Sequence, residues 1–193
     1  MDMATWVLYI MLGILLADYV FEQYLEFLNR KNRSLELPEN ARGIYKEDEY
    51  RKSQQYESDK QRLAFASATF SVMLIVSFIL LDGFAYVDQW ARQITNHPLI
   101  VPLVFFGILF LALDLVQLPF SIYGTFVIEE KYGFNKYTLK LFISDKLKGY
   151  LLTALIGGGL LLLIVWFYQQ TGPWFWLYAW GLITVFMLFM TMF

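Results

Sequence analysis

The sequence predicts an all-α polytopic membrane protein, a single membrane domain over residues 1–193 with five transmembrane helices, the second extended into the cytoplasm. Three observations carry that expectation. Of the residues, 58% are hydrophobic and 19% aromatic against 17% charged, with a mean hydropathy of +0.48, outside the range of soluble domains. Five stretches reach the roughly 20 mostly apolar residues that a spanning helix needs: residues 4–28, 63–82, 98–124, 148–168 and 173–193. The basic residues, finally, are segregated. Nine of the fifteen Lys and Arg fall between Arg30 and Arg62 and five between Lys131 and Lys148, leaving Arg92 alone elsewhere. By the positive-inside bias, connections 29–62 and 125–147 are cytoplasmic, the N-terminus is outside and the C-terminus inside.

The first stretch is expected as a retained helix. Asp2 and the absence of a basic residue give it the wrong start for a signal peptide, and Asp18 and Glu22 interrupt its apolar run. Asp18, Glu22 and Glu26 recur at steps of four, which puts three carboxylates on one face toward the cytoplasmic end. Residues 32–42, with Pro38, form the expected reversal before helix 2.

Between Gly43 and Gly83 there is neither Gly nor Pro, and Glu47 precedes Arg51, as Asp48 precedes Lys52, by four residues. A continuous helix from Ile44 to Asp82 would be about 58 Å long against roughly 30 Å of hydrocarbon, so it projects into the cytoplasm. Tyr45, Tyr50 and Tyr56 are expected to pack that projection.

Residues 82–98, with Trp90 and the single histidine His97, read as an outer loop. Helix 3 carries Asp114, Gln117 and Pro119 in its cytoplasmic half, followed by Ser121 and Tyr123. An Asp at mid-span costs roughly 2.5–3.5 kcal/mol on insertion scales, so Asp114 must point inward. Pro119 removes one helical hydrogen bond. With Asp18 and Glu22, these residues outline a hydrated space open to the cytoplasm or a packing network. In helix 4, Gly157, Gly158 and Gly159 invite close approach of another backbone. In helix 5, Trp174, Phe175, Trp176, Tyr178 and Trp180 come after Gly172-Pro173 as interface anchors.

No disulfide or thiolate metal site is possible without cysteine. There is no His-Glu-x-x-His, phosphate loop or nucleophile elbow, so no catalytic and no metal-ligating residue is assigned. Nucleic acid is not an expected partner, because acids nearly match bases in the loops. The lipid bilayer is.

The run Leu118-Pro119-Phe120-Ser121-Ile122-Tyr123-Gly124-Thr125-Phe126-Val127-Ile128-Glu129-Glu130-Lys131-Tyr132-Gly133-Phe134-Asn135-Lys136 resembles the N-terminal membrane half of type I CAAX prenyl proteases, integral-membrane zinc metalloendopeptidases. Tyr50-Arg51-Lys52-Ser53-Gln54-Gln55-Tyr56 is a second, weaker similarity. The resemblance implies helices around a water-filled chamber in the bacterial inner membrane or endoplasmic reticulum, acting on prenylated CAAX or membrane proteins. It implies zinc held by a His-Glu-x-x-His motif and a later glutamate, positions that this sequence lacks. The expectation is therefore a noncatalytic, chamber-forming N-terminal part, without cofactor of its own and partnered by a C-terminal protease half. The alternative is a stand-alone scaffold derived from the same family. Glu129, Glu130, Lys131, Gly133, Phe134, Asn135 and Lys136 then mark the cytoplasmic mouth. Gly133 would allow an unusual backbone, Asn135 would satisfy it, and the acids would pair with Lys131, Lys136 or a basic partner.

Overall fold

A computed structural model describes residues 2–31, 37 and 46–192. The expected reversal at residues 32–42 and the expected helix 2 start at Ile44, with Tyr45, lie outside the described residues. Among those described there is no strand; the elements are α1 (Met3–Lys31), α2 (Glu47–Leu80), α3 (Gly83–Ile94), α4 (Ile100–Tyr123), a π segment (Gly124–Glu129), the single turn α5 (Glu130–Tyr132), α6 (Leu139–Leu152), a second π segment (Thr153–Gly157), α7 (Gly158–Thr171), a 3-10 turn (Gly172–Trp174) and α8 (Phe175–Met192).

Among the described residues, four continuous helical runs are long and apolar enough to cross a membrane: Met3–Lys31, Glu47–Leu80, Ile100–Tyr132 and Leu139–Met192. The last folds back on itself. Phe167 and Tyr178 would lie about 16 Å apart along a straight helix, yet their ring centroids are 5.6 Å apart. Gly172, at φ 52 and ψ −123, makes the reversal. The surfaces of these helices are apolar and open: Ile10, Met73, Leu115, Leu151 and Val185 are all at least half exposed. So large an apolar surface is incompatible with water. Its solvent is the hydrocarbon of a bilayer, and the chain is an integral membrane protein.

The chain packs as two compact units. The first contains α1, α2 and Asp114–Tyr137; the second contains Phe84–Leu113 and the chain from Thr138 onward. In the first, Tyr19 and Thr69 join α1 to α2 through their hydroxyls at 2.7 Å. Thr69 Oγ1 already donates to the Phe65 carbonyl at 2.7 Å, so Tyr19 is the donor. Phe70 of α2 meets Phe120 of α4 at 5.7 Å.

α2 is helical well beyond its apolar half. Residues 47–62 add about 24 Å of polar helix before the apolar span begins. The Glu47–Arg51 pair forms at 3.8 Å. Lys52 does not pair with Asp48; its ammonium lies over the Phe134 ring, 5.6 Å from the centroid.

In the second unit, the expected loop at residues 82–98 contains α3, whose Val87 and Ala91 are buried and whose Arg92 pairs with Asp88 at 2.7 Å. Aromatic and polar residues between its apolar positions hid this amphipathic helix from a hydropathy reading. A Cβ built at Gly158 or Gly159 meets nothing within 4 Å among the described residues. The glycine run thus adjoins a π turn here, with no close backbone contact.

Candidate functional site

The polar residues of α4 do not gather at one point. Gln117 is half-buried between two serines of α2, Ser67 and Ser71, which share one helix face at a spacing of four. Ser71 commits its proton to the Ser67 carbonyl at 2.8 Å, leaving Ser71 Oγ free only to accept, and Gln117 Nε2 donates to it at 2.6 Å. Ser67 Oγ donates to Gln117 Oε1 at 2.8 Å. Both ends of the amide are therefore satisfied, and the network fixes its orientation. Unsatisfied at this depth, such a group would cost several kcal/mol.

A cleft of about 290 Å³ opens beside this network. Lys60, Leu63, Ala64 and Ser67 line it from α2, with Gln117, Phe120 and Ser121 of α4 opposite and Gly124 and Glu129 of the π segment at its side. Gly124 sets how narrow it is, since a Cβ there would lie 3.3 Å from Leu63 Cδ2. Asp18, Glu22 and Tyr123 are exposed and Asp114 is half-buried; none of the four lines the cleft.

The run from Glu129 to Thr138 is a helix stop followed by a helix start. Gly133 is left-handed at φ 74. Phe134 N–H donates to the Glu129 carbonyl at 2.8 Å and Gly133 N–H to the Glu130 carbonyl at 3.0 Å. These are the two bonds of a Schellman C-cap, which needs a glycine-type backbone at this position. Asn135 then braces the turn: its Oδ1 accepts from Tyr137 N–H at 2.7 Å and its Nδ2 donates to Glu130 Oε2 at 2.9 Å. Thr138 caps α6 by accepting from Leu141 N–H at 3.2 Å. Lys136 is exposed.

The acids of the motif do not hold Lys131. Its ammonium donates to Asp59 Oδ2 at 2.7 Å, and the Tyr132 hydroxyl donates to the same oxygen at 2.8 Å. Arg62 lies 4.0 Å from the other carboxylate oxygen. Asp59 and Lys131 flank the apolar spans 63–82 and 98–124, outside both. There the Lys131 ammonium, and secondarily the Tyr132 hydroxyl, hold the Asp59 carboxyl below the ordinary carboxylate range. Tyr56 is edge-on to Tyr132 at 5.4 Å and to Phe134 at 4.9 Å, so the aromatic residues of the motif dock on the polar part of α2.

Sequence reasoning missed Asp59, Lys60, Ser67 and Ser71. The available signal was the i, i+4 serine pair inside an apolar span, and an Asp-Lys dipeptide one turn before that span.

This arrangement holds helices together through hydrogen bonds, an ion pair and ring contacts. His97 is exposed, and its Nδ1 accepts from Leu99 N–H at 3.3 Å, a local turn contact. Among the described residues, no three His, Cys, Asp or Glu side chains are placed to hold a metal ion.

The family model described as CAAX prenyl protease N-terminal, five membrane helices, matches residues 26–193. Among curated relatives, the chain is 30% identical over 173 residues to CAAX prenyl protease 1 homolog of Oryza sativa subsp. japonica, a match covering 84% of this chain and 40% of the relative. It is 32% identical over 192 residues to probable CAAX prenyl protease 1 of Schizosaccharomyces pombe, covering 90% of this chain and 40% of that protein. The solved structure of S. mikatae Ste24p superposes with a TM-score of 0.86 at 29% identity, over 93% of this chain and 44% of that one. The chain thus spans about 40% of the length of the curated relatives it matches.

Proposed function

Because this chain belongs to the CAAX prenyl protease N-terminal family, with its five membrane helices, we propose that it is the chamber-forming part of a zinc metalloendopeptidase acting on prenylated CAAX or membrane proteins. The observation that carries the reading is the likeness to Ste24p, which takes in 93% of this chain but 44% of the other. The match takes in less than half of that relative, and the matching family model is described as N-terminal with five membrane helices. In this reading a C-terminal protease half supplies the metal ligands, and the chain's own residues enclose and orient the substrate. The aromatic dock of Tyr56, Tyr132 and Phe134, locked by Asp59 and Lys131, sets the polar end of α2 against the turn at Gly133. That end and the turn face the cytoplasm, with the N-terminus outside.

The test is reconstitution. Purified alone, the 193-residue chain is expected to bind no stoichiometric zinc and to leave a farnesylated CAAX peptide uncut. Co-expressed with the C-terminal portion of the S. pombe relative, it is expected to restore zinc-dependent cleavage. One tightly held zinc on the isolated chain, with cleavage, would refute this division of labour. A stable heterocomplex with no cleavage would favour the scaffold instead.

A further inference from the structure

We propose that the cleft between α2 and the π segment after α4 holds one zwitterionic phospholipid, its phosphate on Lys60 and its headgroup ammonium on Glu129. Of the described residues lining the cleft, these two alone are charged. Neither forms an ion pair with the other or with any other described residue; the Lys60 ammonium lies over the face of Tyr56, 5.2 Å from the ring centroid. The neighbouring charges are already engaged, Asp59 with Lys131 and Glu130 with Asn135. The main chain of Glu129 is also held, because its backbone carbonyl accepts from both Phe134 and Asn135.

One open cation and one open anion on a single mouth complement a ligand that carries both charges. An anionic lipid would satisfy Lys60 and be repelled by Glu129; a cationic amphiphile would meet the reverse. The depth is right for a headgroup, since Lys60 precedes the apolar span 63–82 by three residues and Glu129 comes five residues after the span 98–124. Leu63, Ala64 and Phe120 continue inward from that mouth as an apolar wall for the start of an acyl chain. A free zwitterion would leave this wall bare. A volume of about 290 Å³ accommodates a headgroup and part of one chain, not a whole lipid.

The probe is phosphatidylethanolamine against phosphatidylglycerol of the same acyl chains, added to the full chain in detergent and read by native mass spectrometry. One phosphatidylethanolamine is expected to be retained in preference to phosphatidylglycerol. Lys60→Gln and Glu129→Gln should each weaken that retention about fivefold, the scale of one charge-assisted contact at a partly open site, and Glu129→Gln should raise phosphatidylglycerol retention. Ala64→Phe, which fills the cleft and touches neither charge, should abolish specific retention. Circular dichroism of each variant checks that the helices are intact. Unchanged phosphatidylethanolamine retention in both charge variants would overturn the assignment. So would phosphatidylglycerol binding as tightly to the unaltered chain, or phosphoethanolamine without a tail matching the lipid. Displacement of the lipid by an equal concentration of farnesylated peptide would give the cleft to a protein substrate.

Discussion

At Gly133 the backbone sits at φ 74 with nothing within 4 Å of a would-be Cβ, so the demand for glycine there is purely conformational. Gly133→Ala should cost about 1–2 kcal/mol, the left-handed penalty of an ordinary residue, and Gly133→Asn distinctly less. A thermal shift assay in nanodiscs that ranks the two equally would show the Schellman cap to be unimportant. Tyr132 is buried and spends its hydroxyl on Asp59, so Tyr132→Phe should lower stability by about 1 kcal/mol. Asp59→Ala should cost more, because it leaves both the Tyr132 hydroxyl and the Lys131 ammonium without their acceptor. Lys131→Gln should cost least, since that ammonium is mostly in solvent. A Lys131 variant more damaging than the Asp59 variant would reverse the roles assigned to the pair.

At the scale of elements, α2 and α4 are joined by the Ser67, Gln117 and Ser71 network, and a double-mutant cycle measures that joint. Ser67→Ala and Gln117→Leu should couple by about 0.6–1.7 kcal/mol, the range found for hydrogen bonds between membrane helices. Additive effects would mean that each side chain finds a substitute partner on its own helix. The apolar spans of these elements were legible in the sequence because the bilayer imposes a length of hydrophobic helix. Their ends were not. Hydropathy marks where the chain leaves the hydrocarbon, whereas the backbone ladder runs on past residue 124 through a π segment to Tyr132, and α6 starts already at Leu139. The Gly133 turn and the Asn135 brace were legible from their residue types, since few residues accept such a backbone. The partner of Lys131 was not legible: Asp59 is 72 positions away, and only packing brings it near.

For the molecule as a whole, the first question is how these helices thread the bilayer, and the chain offers an unusually direct test because it has no cysteine. The positive-inside distribution puts the polar half of α2 and the turn at Gly133 on one face, and the segment around His97 on the other. The structure joins the first two regions independently, through Lys131 with Asp59 and Phe134 with Tyr56, so within this unit they share a side whatever the orientation. Single substitutions Arg51→Cys, Lys136→Cys and Asn96→Cys therefore separate two claims when labelled in sealed vesicles with an impermeant maleimide. Arg51→Cys and Lys136→Cys must react from the same face, or the packing of α2 on the Gly133 turn is wrong. That face should be cytoplasmic, with Asn96→Cys reacting only from outside. If both were labelled from outside and Asn96→Cys from the cytoplasm, the packing would stand and the charge-based orientation would fall. The cleft mouth at Lys60 and Glu129 would then open toward the outer leaflet.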